Sequence, residues 1–286
     1  MDLPGQLSAP RCFGVVGRLD EVYWIWLEDV GDGSKEWSIS DYGRAARHLG
    51  QFNGAYLAGR PVPEYAWLTR GRVKSWLIDA QPIIENLHQF LHEAKRPHWL
   101  TEPQIKRLLA IWARREPLLQ ALDRLPRTLC HHDAFRRNLF ALQERTVAVD
   151  WQILGTGAIG EEMVPLVGIT LQFMNMAPAK LQALEETVLD GYVAGLRDAG
   201  WQGDERLARF GYAASAALFI GVATVGCWPS VARESRYKLA EKAIGHPIAD
   251  IIANFGALQD HFLDLGDKAL AMVGLFDASL QFWNLA

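Results

Sequence analysis

The sequence predicts an α+β fold: a short β piece at the start, then a long, mainly helical lobe with one hairpin inserted in it. Three observations predict this. Residues 11–16 and 21–27 are short runs rich in β-branched and aromatic residues, separated by Gly17-Arg18-Leu19-Asp20, which reads as a β-hairpin. From about residue 40 onward, apolar residues recur at helical spacing. Between residues 138 and 150 that spacing gives way to two short β-type runs around the turn Gln143-Glu144-Arg145.

The acids and glycines of Glu28-Asp29-Val30-Gly31-Asp32-Gly33-Ser34 separate the first hairpin from the helical region and read as a linker or hinge. Ser40 or Asp41 is positioned to cap a helix running to about Leu57, with Ala45, Leu49, Phe52 and Tyr56 on one face. Gly59-Arg60-Pro61-Val62-Pro63 ends it. A helix over about Lys74–Leu91 is expected to be interrupted near Pro82. Thr101-Glu102-Pro103 starts another, with Thr as cap and Pro in the first turn, and Pro126 closes it. Beyond Glu161 only helices are expected: Lys180–Ala199, Asp204–Cys227, and two or three after Ile248.

Half of the 286 residues are apolar and 22% are charged, as in an ordinary globular chain. The net charge of −4 supplies no positive field, which argues against a nucleic-acid partner. Cys12, Cys130 and Cys227 are far apart and odd in number, so neither a disulfide framework nor a zinc site is expected, and a reducing cytoplasm fits. The first residues lack the basic and apolar regions of a signal peptide. Phe210–Trp228 carries no charge, but its Ala, Gly, Ser and Thr content reads as a helix buried on all sides rather than a membrane span.

The chemistry concentrates in Leu129-Cys130-His131-His132-Asp133-Ala134-Phe135-Arg136-Arg137-Asn138 and, twelve residues after Asn138, in Asp150-Trp151. Phosphoryl transfer from a metal–nucleotide needs one carboxylate at the attacking hydroxyl, plus an amide and a second carboxylate on Mg²⁺. Asp133 supplies the first. Asn138 and Asp150 supply the metal set, brought together if the strand before Asp150 pairs back beside Asn138. His131 is expected to pack beneath the loop. Arg136 or Arg137 is placed to stabilise charge on the transferred group. Glu161 and Glu162 read first as acids favoured at a helix start, second as metal or acceptor ligands.

This pattern resembles the aminoglycoside phosphotransferase and choline kinase family, relatives of the protein kinases, whose loop reads His-Gly-Asp-x4-Asn and whose metal acid often appears as Asp-Trp. His132 replaces the usual Gly. The resemblance implies a protein-kinase-like fold: residues 1–30 as a two-strand remnant of the small lobe with the hinge, and 31–286 as the helical large lobe with catalytic loop and metal site. It implies ATP and Mg²⁺ as cofactors, a small-molecule hydroxyl as acceptor, and adenine held at Leu27, Glu28 and Val30. It also exposes a departure. Residues 1–26 contain no glycine-rich loop and no Lys, Lys35 being the first; most of the small lobe is expected to be lacking. Apolar strand surface at Phe13, Val15, Tyr23, Ile25 and Leu27 is then uncovered, and self-association is expected.

Two other readings compete. Gly155-Thr156-Gly157-Ala158-Ile159-Gly160 matches Gly-x-Gly-x-x-Gly, but no βαβ pattern surrounds it and no acid lies at the right distance beyond it, so it is expected to be a flexible loop. A kinase-like binding module that has lost turnover, or a truncated inactive form, is the alternative to a working enzyme.

Overall fold

A computed structural model of the chain describes residues 3–31, 36–87, 89, 100–142, 144–224 and 234–283. Leu7–Ser8 form β1. The first hairpin is present: β2 (Cys12–Gly17) pairs antiparallel with β3 (Tyr23–Leu27), with Val15 opposite Ile25 and Val16 opposite Trp24. Both faces of this ribbon are exposed, Val15 and Ile25 each at 58% and Trp24 at 50%. Among the described residues, no ladder joins it to the other sheets. Of the expected hinge, residues 32–35 lie outside the described residues.

Helix α1 (Ile39–Leu57) is capped earlier than expected, by Ser38. Its hydroxyl accepts from the Asp41 N–H, and the Asp41 carboxylate accepts from the Ser38 N–H in return, so Asp41 closes a capping box and does not cap by itself. After β4 (Thr69–Arg70) comes α2 (Arg72–Glu85), which carries Pro82 without ending there. Most of the expected continuation toward Leu91 lies outside the described residues. The single helix expected over residues 102–125 is two, α3 (Glu102–Ala113) and α4 (Arg115–Arg124), broken at Arg114. Thr101 caps α3 in a capping box with Gln104.

Strand β5 (Arg127–Cys130) leads into the motif loop. The expected second hairpin comes next, as β6 (Leu139–Leu142) and β7 (Arg145–Ala148), with β1 added parallel to β7. The Gly155–Gly160 stretch is not a flexible loop. Gly155–Ala158 is β8, the centre of a sheet in the order β4-β8-β5. Short strands paired across some 86 residues of sequence, Thr69 with Gly155, leave no periodic trace. A Cβ at Gly155 would lie 2.0 Å from the Thr69 carbonyl oxygen, so the glycine serves close strand approach.

The remainder of the described chain is mainly helical, as expected. It comprises a π-helical turn at Pro165–Ile169, α5 (Leu181–Asp198), α6 (Glu205–Ala216) running on as a π turn through Ala217–Val222, α7 (Glu234–Ile244) and α8 (Ile248–Trp283). One 36-residue helix replaces the two or three expected after Ile248. Cys227 lies outside the described residues. Among the described residues, no helix is long and apolar enough to cross a membrane.

The α1–α5 pair anchors the lobe. A Cβ at Gly195 would lie 2.0 Å from the Arg47 carbonyl oxygen, and one at Gly50 would lie 2.3 Å from the Tyr192 carbonyl oxygen. The backbones therefore meet at distances only glycine permits. Gly195→Ala must push the helices apart and is expected to cost about 1–3 kcal/mol. Urea unfolding checks this; an unchanged midpoint would show that the close approach does not matter.

Candidate active site

The motif loop hangs from the end of β5. Its turn needs a left-handed residue, and His132 provides it with φ 66°; this conformation explains why glycine is usual there in the related pattern, since glycine adopts it without steric cost. The strained backbone is held by a buried carboxyl group. Glu162 accepts from the His131 N–H at 2.6 Å through Oε2 and from the His132 N–H at 3.1 Å through Oε1. His131 supports the next residue: its Nε2 lies 2.9 Å from the Val149 carbonyl oxygen and its Nδ1 accepts from the Asp133 N–H at 3.2 Å. The tautomer with hydrogen on Nε2 satisfies both. The Trp151 ring packs on His131 at 4.4 Å.

Asp133, half-buried, accepts from the Asn138 amide nitrogen at 2.8 Å through Oδ2, and its carbonyl accepts from the same nitrogen at 3.0 Å. That spends the Asn138 N–H₂ on Asp133 and turns the amide oxygen the other way. The hairpin then closes as expected: the Val149 N–H donates to the Asn138 carbonyl at 2.9 Å, placing the exposed Asp150 beside the loop. Asp150 is itself left-handed, with φ 61° and ψ 63°. Of the four non-glycine residues at positive φ among the described residues, two flank the site, where the chemistry is expected.

A sequence profile of the phosphotransferase enzyme family matches residues 17–208. The chain belongs to that family. No curated protein matches it in sequence. Among solved structures, it is similar to a choline/ethanolamine kinase family protein from Mesorhizobium loti, at 16% identity and a TM-score of 0.53, over 93% of this chain and 77% of the other. It is likewise similar to an amicoumacin kinase solved with AMP-PNP, Ca²⁺ and Ami, at 14% identity and 0.53, over 92% and 73%. An aminoglycoside phosphotransferase from Alicyclobacillus acidocaldarius matches at 12% identity and 0.50, over 94% and 79%. At these identities the likeness shows the protein-kinase-like fold, with its helical C-terminal lobe.

The sequence motif contains Asp133, Asn138 and Asp150 but not the residues that hold them. Burial pushes the Asp133 carboxyl above its usual range, and the nearby Asp150 adds to that, against the Asn138 hydrogen bond and the Arg72 charge. Burial pulls His131 down to about 4 and His132 down to about 3, so both rings are neutral. Glu161 and Glu162 are not solvent-facing acids at a helix start; both are buried. Burial pushes Glu162 up to about 8, opposed by its backbone donors and Asn53. Asn53, fully buried on the apolar face of α1, ties the assembly together. Its amide nitrogen donates to the Leu129 carbonyl at 2.7 Å, and its oxygen accepts from the Tyr192 hydroxyl at 2.8 Å. A polar residue four after Leu49 on an apolar stripe is its signal in the sequence.

Arg136 lies in the loop, donating to the Leu139 carbonyl at 3.1 Å and stacked 4.9 Å over Trp37. Arg137 turns away, donating to the Ala243 carbonyl at the end of α7 at 2.7 Å. Leu27 ends β3 exposed, Glu28 continues the ladder through its N–H to the Arg11 carbonyl at 2.8 Å, and Val30 is partly buried. Two acids of α5 that could meet a polycationic acceptor are already engaged. Glu185 accepts from the Tyr212 hydroxyl at 2.7 Å and lies 2.9 Å from His261 Nε2, and Glu186 accepts from Gln182 at 3.2 Å.

Glu162→Gln cannot accept with both side-chain termini and leaves a loop N–H facing an N–H₂. A loss of about 1–3 kcal/mol is expected. The folded Glu162 binds its proton up to about pH 8, well above an ordinary glutamate, so its contribution is fully present at low pH and is lost as pH rises through that value. The stability gap between the two proteins should therefore narrow from about pH 4.5 to 8. A gap that widens over this range in paired denaturation curves would contradict the assignment.

Proposed function

We propose that the chain is an ATP- and Mg²⁺-dependent phosphotransferase acting on a hydroxyl of a small molecule. The observation that carries this is the Asp133–Asn138 hydrogen bond at 2.8 Å on a loop whose end is paired to Val149, next to Asp150. Asp133 accepts the proton of the attacking hydroxyl, and its raised basicity suits that role. The Asn138 amide oxygen and the Asp150 carboxylate form the hard oxygen set that Mg²⁺ takes while keeping phosphate and water ligands; among the described residues no cluster of three His, Cys, Asp or Glu competes for it. When bound, the ion offsets charge on the phosphates. Arg136, two residues before Asn138, stabilises charge on the transferred phosphoryl group. Leu27, Glu28 and Val30 hold adenine. The amicoumacin kinase with AMP-PNP supports nucleotide as the donor class.

A kinase-like binding module without turnover is the second reading. It keeps the same loop and hairpin, with the Asp133–Asn138 and Asn138–Val149 hydrogen bonds, and differs only in making no transfer.

Adding Mg²⁺-ATP at about 100 times its dissociation constant should stabilise the chain by ~2.7 kcal/mol, and Asp150→Ala should remove that effect. Asp133→Ala should keep the stabilisation but abolish ATP-dependent transfer to any acceptor found by screening. If transfer survives Asp133→Ala, the base is elsewhere. If wild type binds Mg²⁺-ATP and transfers to no hydroxyl, the module reading holds. The two-faced exposed ribbon is expected to drive self-association; light scattering that shows a monomer at all concentrations would contradict this.

A further inference from the structure

Behind the catalytic loop three buried polar atoms face one cavity without partners. They are Arg72 Nε, His132 Nε2 and Glu161 Oε1, none of which has a hydrogen bond among the described residues. All three residues line the same small space, whose other walls, including Val73, Val164 and Phe219, are apolar. Each of these side chains has a further contact. The Arg72 guanidinium is stacked 5.0 Å over Trp76. Glu161 accepts from the Ala158 N–H at 3.0 Å through its other oxygen. His132 makes its remaining bond to the backbone of Thr156, and its Nδ1 stands 3.6 Å from Glu161 Oε1, beyond hydrogen-bond reach. An unpaired buried polar group is strongly unfavourable, and three around one cavity are not left so in a stable fold. The cavity volume is about 10 Å³. That is the room of one water molecule and too little for a phosphate or carboxylate.

The donor and acceptor count closes on that occupant. The Arg72 Nε–H needs an acceptor, whereas the His132 Nε2 lone pair and Glu161 Oε1 need donors. A single water accepts one hydrogen bond and donates two. We propose that this cavity is a binding site for one fixed water molecule bonded at once to Arg72 Nε, His132 Nε2 and Glu161 Oε1, and that Arg72 is through it a positioning residue for the loop that carries Asp133. Arg72 opens α2, directly after Gly71 in the left-handed region, on the chain that leaves β4. The water thus joins three separate segments: the start of α2, the strained His132 turn and the residue beside Glu162. The Arg72 charge also reaches both Asp133 and Glu161, so the cation that holds the water lies among the site's carboxylates.

The test is a crystal structure of the full chain at a resolution that shows ordered water, paired with hydrogen exchange at single amides. Wild type should show one fully occupied peak within hydrogen-bond distance of all three atoms. Arg72→Met keeps an apolar stem beside Trp76 but has no N–H. It should speed exchange at the His132 and Asp133 amides by about tenfold or more while leaving those of α1 and α5 unchanged, and Arg72→Lys, which retains a donor, should restore slow exchange. An empty cavity in wild type, an Arg72 that contacts Glu161 directly, or loop exchange indifferent to Arg72→Met each overturns the proposal. If Arg72→Met does not fold, the wild-type density alone decides. Neither readout involves phosphate transfer, so failure here and failure of the phosphotransferase reading are separable.

Discussion

The Glu162 carboxyl group, with no exposed surface, receives the backbone N–H groups of His131 and His132, and the geometry of the site hangs on that pair of bonds. A left-handed histidine is a costly turn, and it persists only where its surroundings over-determine it. Glu162 fixes the backbone on one side, His131 braces it from beneath through Val149 and the Asp133 N–H, and Asn138 closes the loop onto Asp133. Asn53 and Tyr192 extend the support to α1 and α5, which meet through glycine and form the rigid base. Loops carry chemistry well when a scaffold of this kind positions them.

The same arrangement accounts for the electrostatics. Burying several carboxylates in one region is unfavourable unless their charge is moderated. Here burial lifts Asp133, Glu161 and Glu162 above ordinary acids, and Arg72 is a half-buried cation whose field reaches Asp133 and Glu161. For the proposed role of Asp133, a carboxyl raised above a free aspartate is better matched to an alcohol proton near neutral pH. Glu185 and Glu186 are already bonded within the fold, so family membership by itself does not assign this chain an aminoglycoside.

How much of the fold and site is legible in the sequence depends on how local each signal is. The second hairpin, the Thr101 cap and the spacing of Asp133, Asn138 and Asp150 depend on neighbours along the chain, and the structure brings these residues into one loop and hairpin. The central β8 strand is invisible there because its partners β4 and β5 are distant in sequence and its glycines resemble a loop. Glu162 misleads because a carboxylate before a helix has a sufficient local explanation at the helix N-terminus, and only the fold shows it turned inward. Asn53 is detectable as a polar residue on an apolar stripe. Arg72 and the cavity beside His132 have no sequence signature, since three segments far apart in the chain create them. The uncovered ribbon is legible on one face; the structure exposes both.

The most direct test of a metal-dependent transfer site is a crystal structure of the chain with AMP-PNP and Mn²⁺, read by anomalous scattering. A metal peak is expected at about 2.1 Å from the Asn138 amide oxygen and an Asp150 carboxylate oxygen, as for a small hard divalent cation, with the terminal phosphate on the Asp133 side of the ion. Nucleotide bound with its metal on other residues, or no metal between Asn138 and Asp150 at saturating nucleotide, would contradict it.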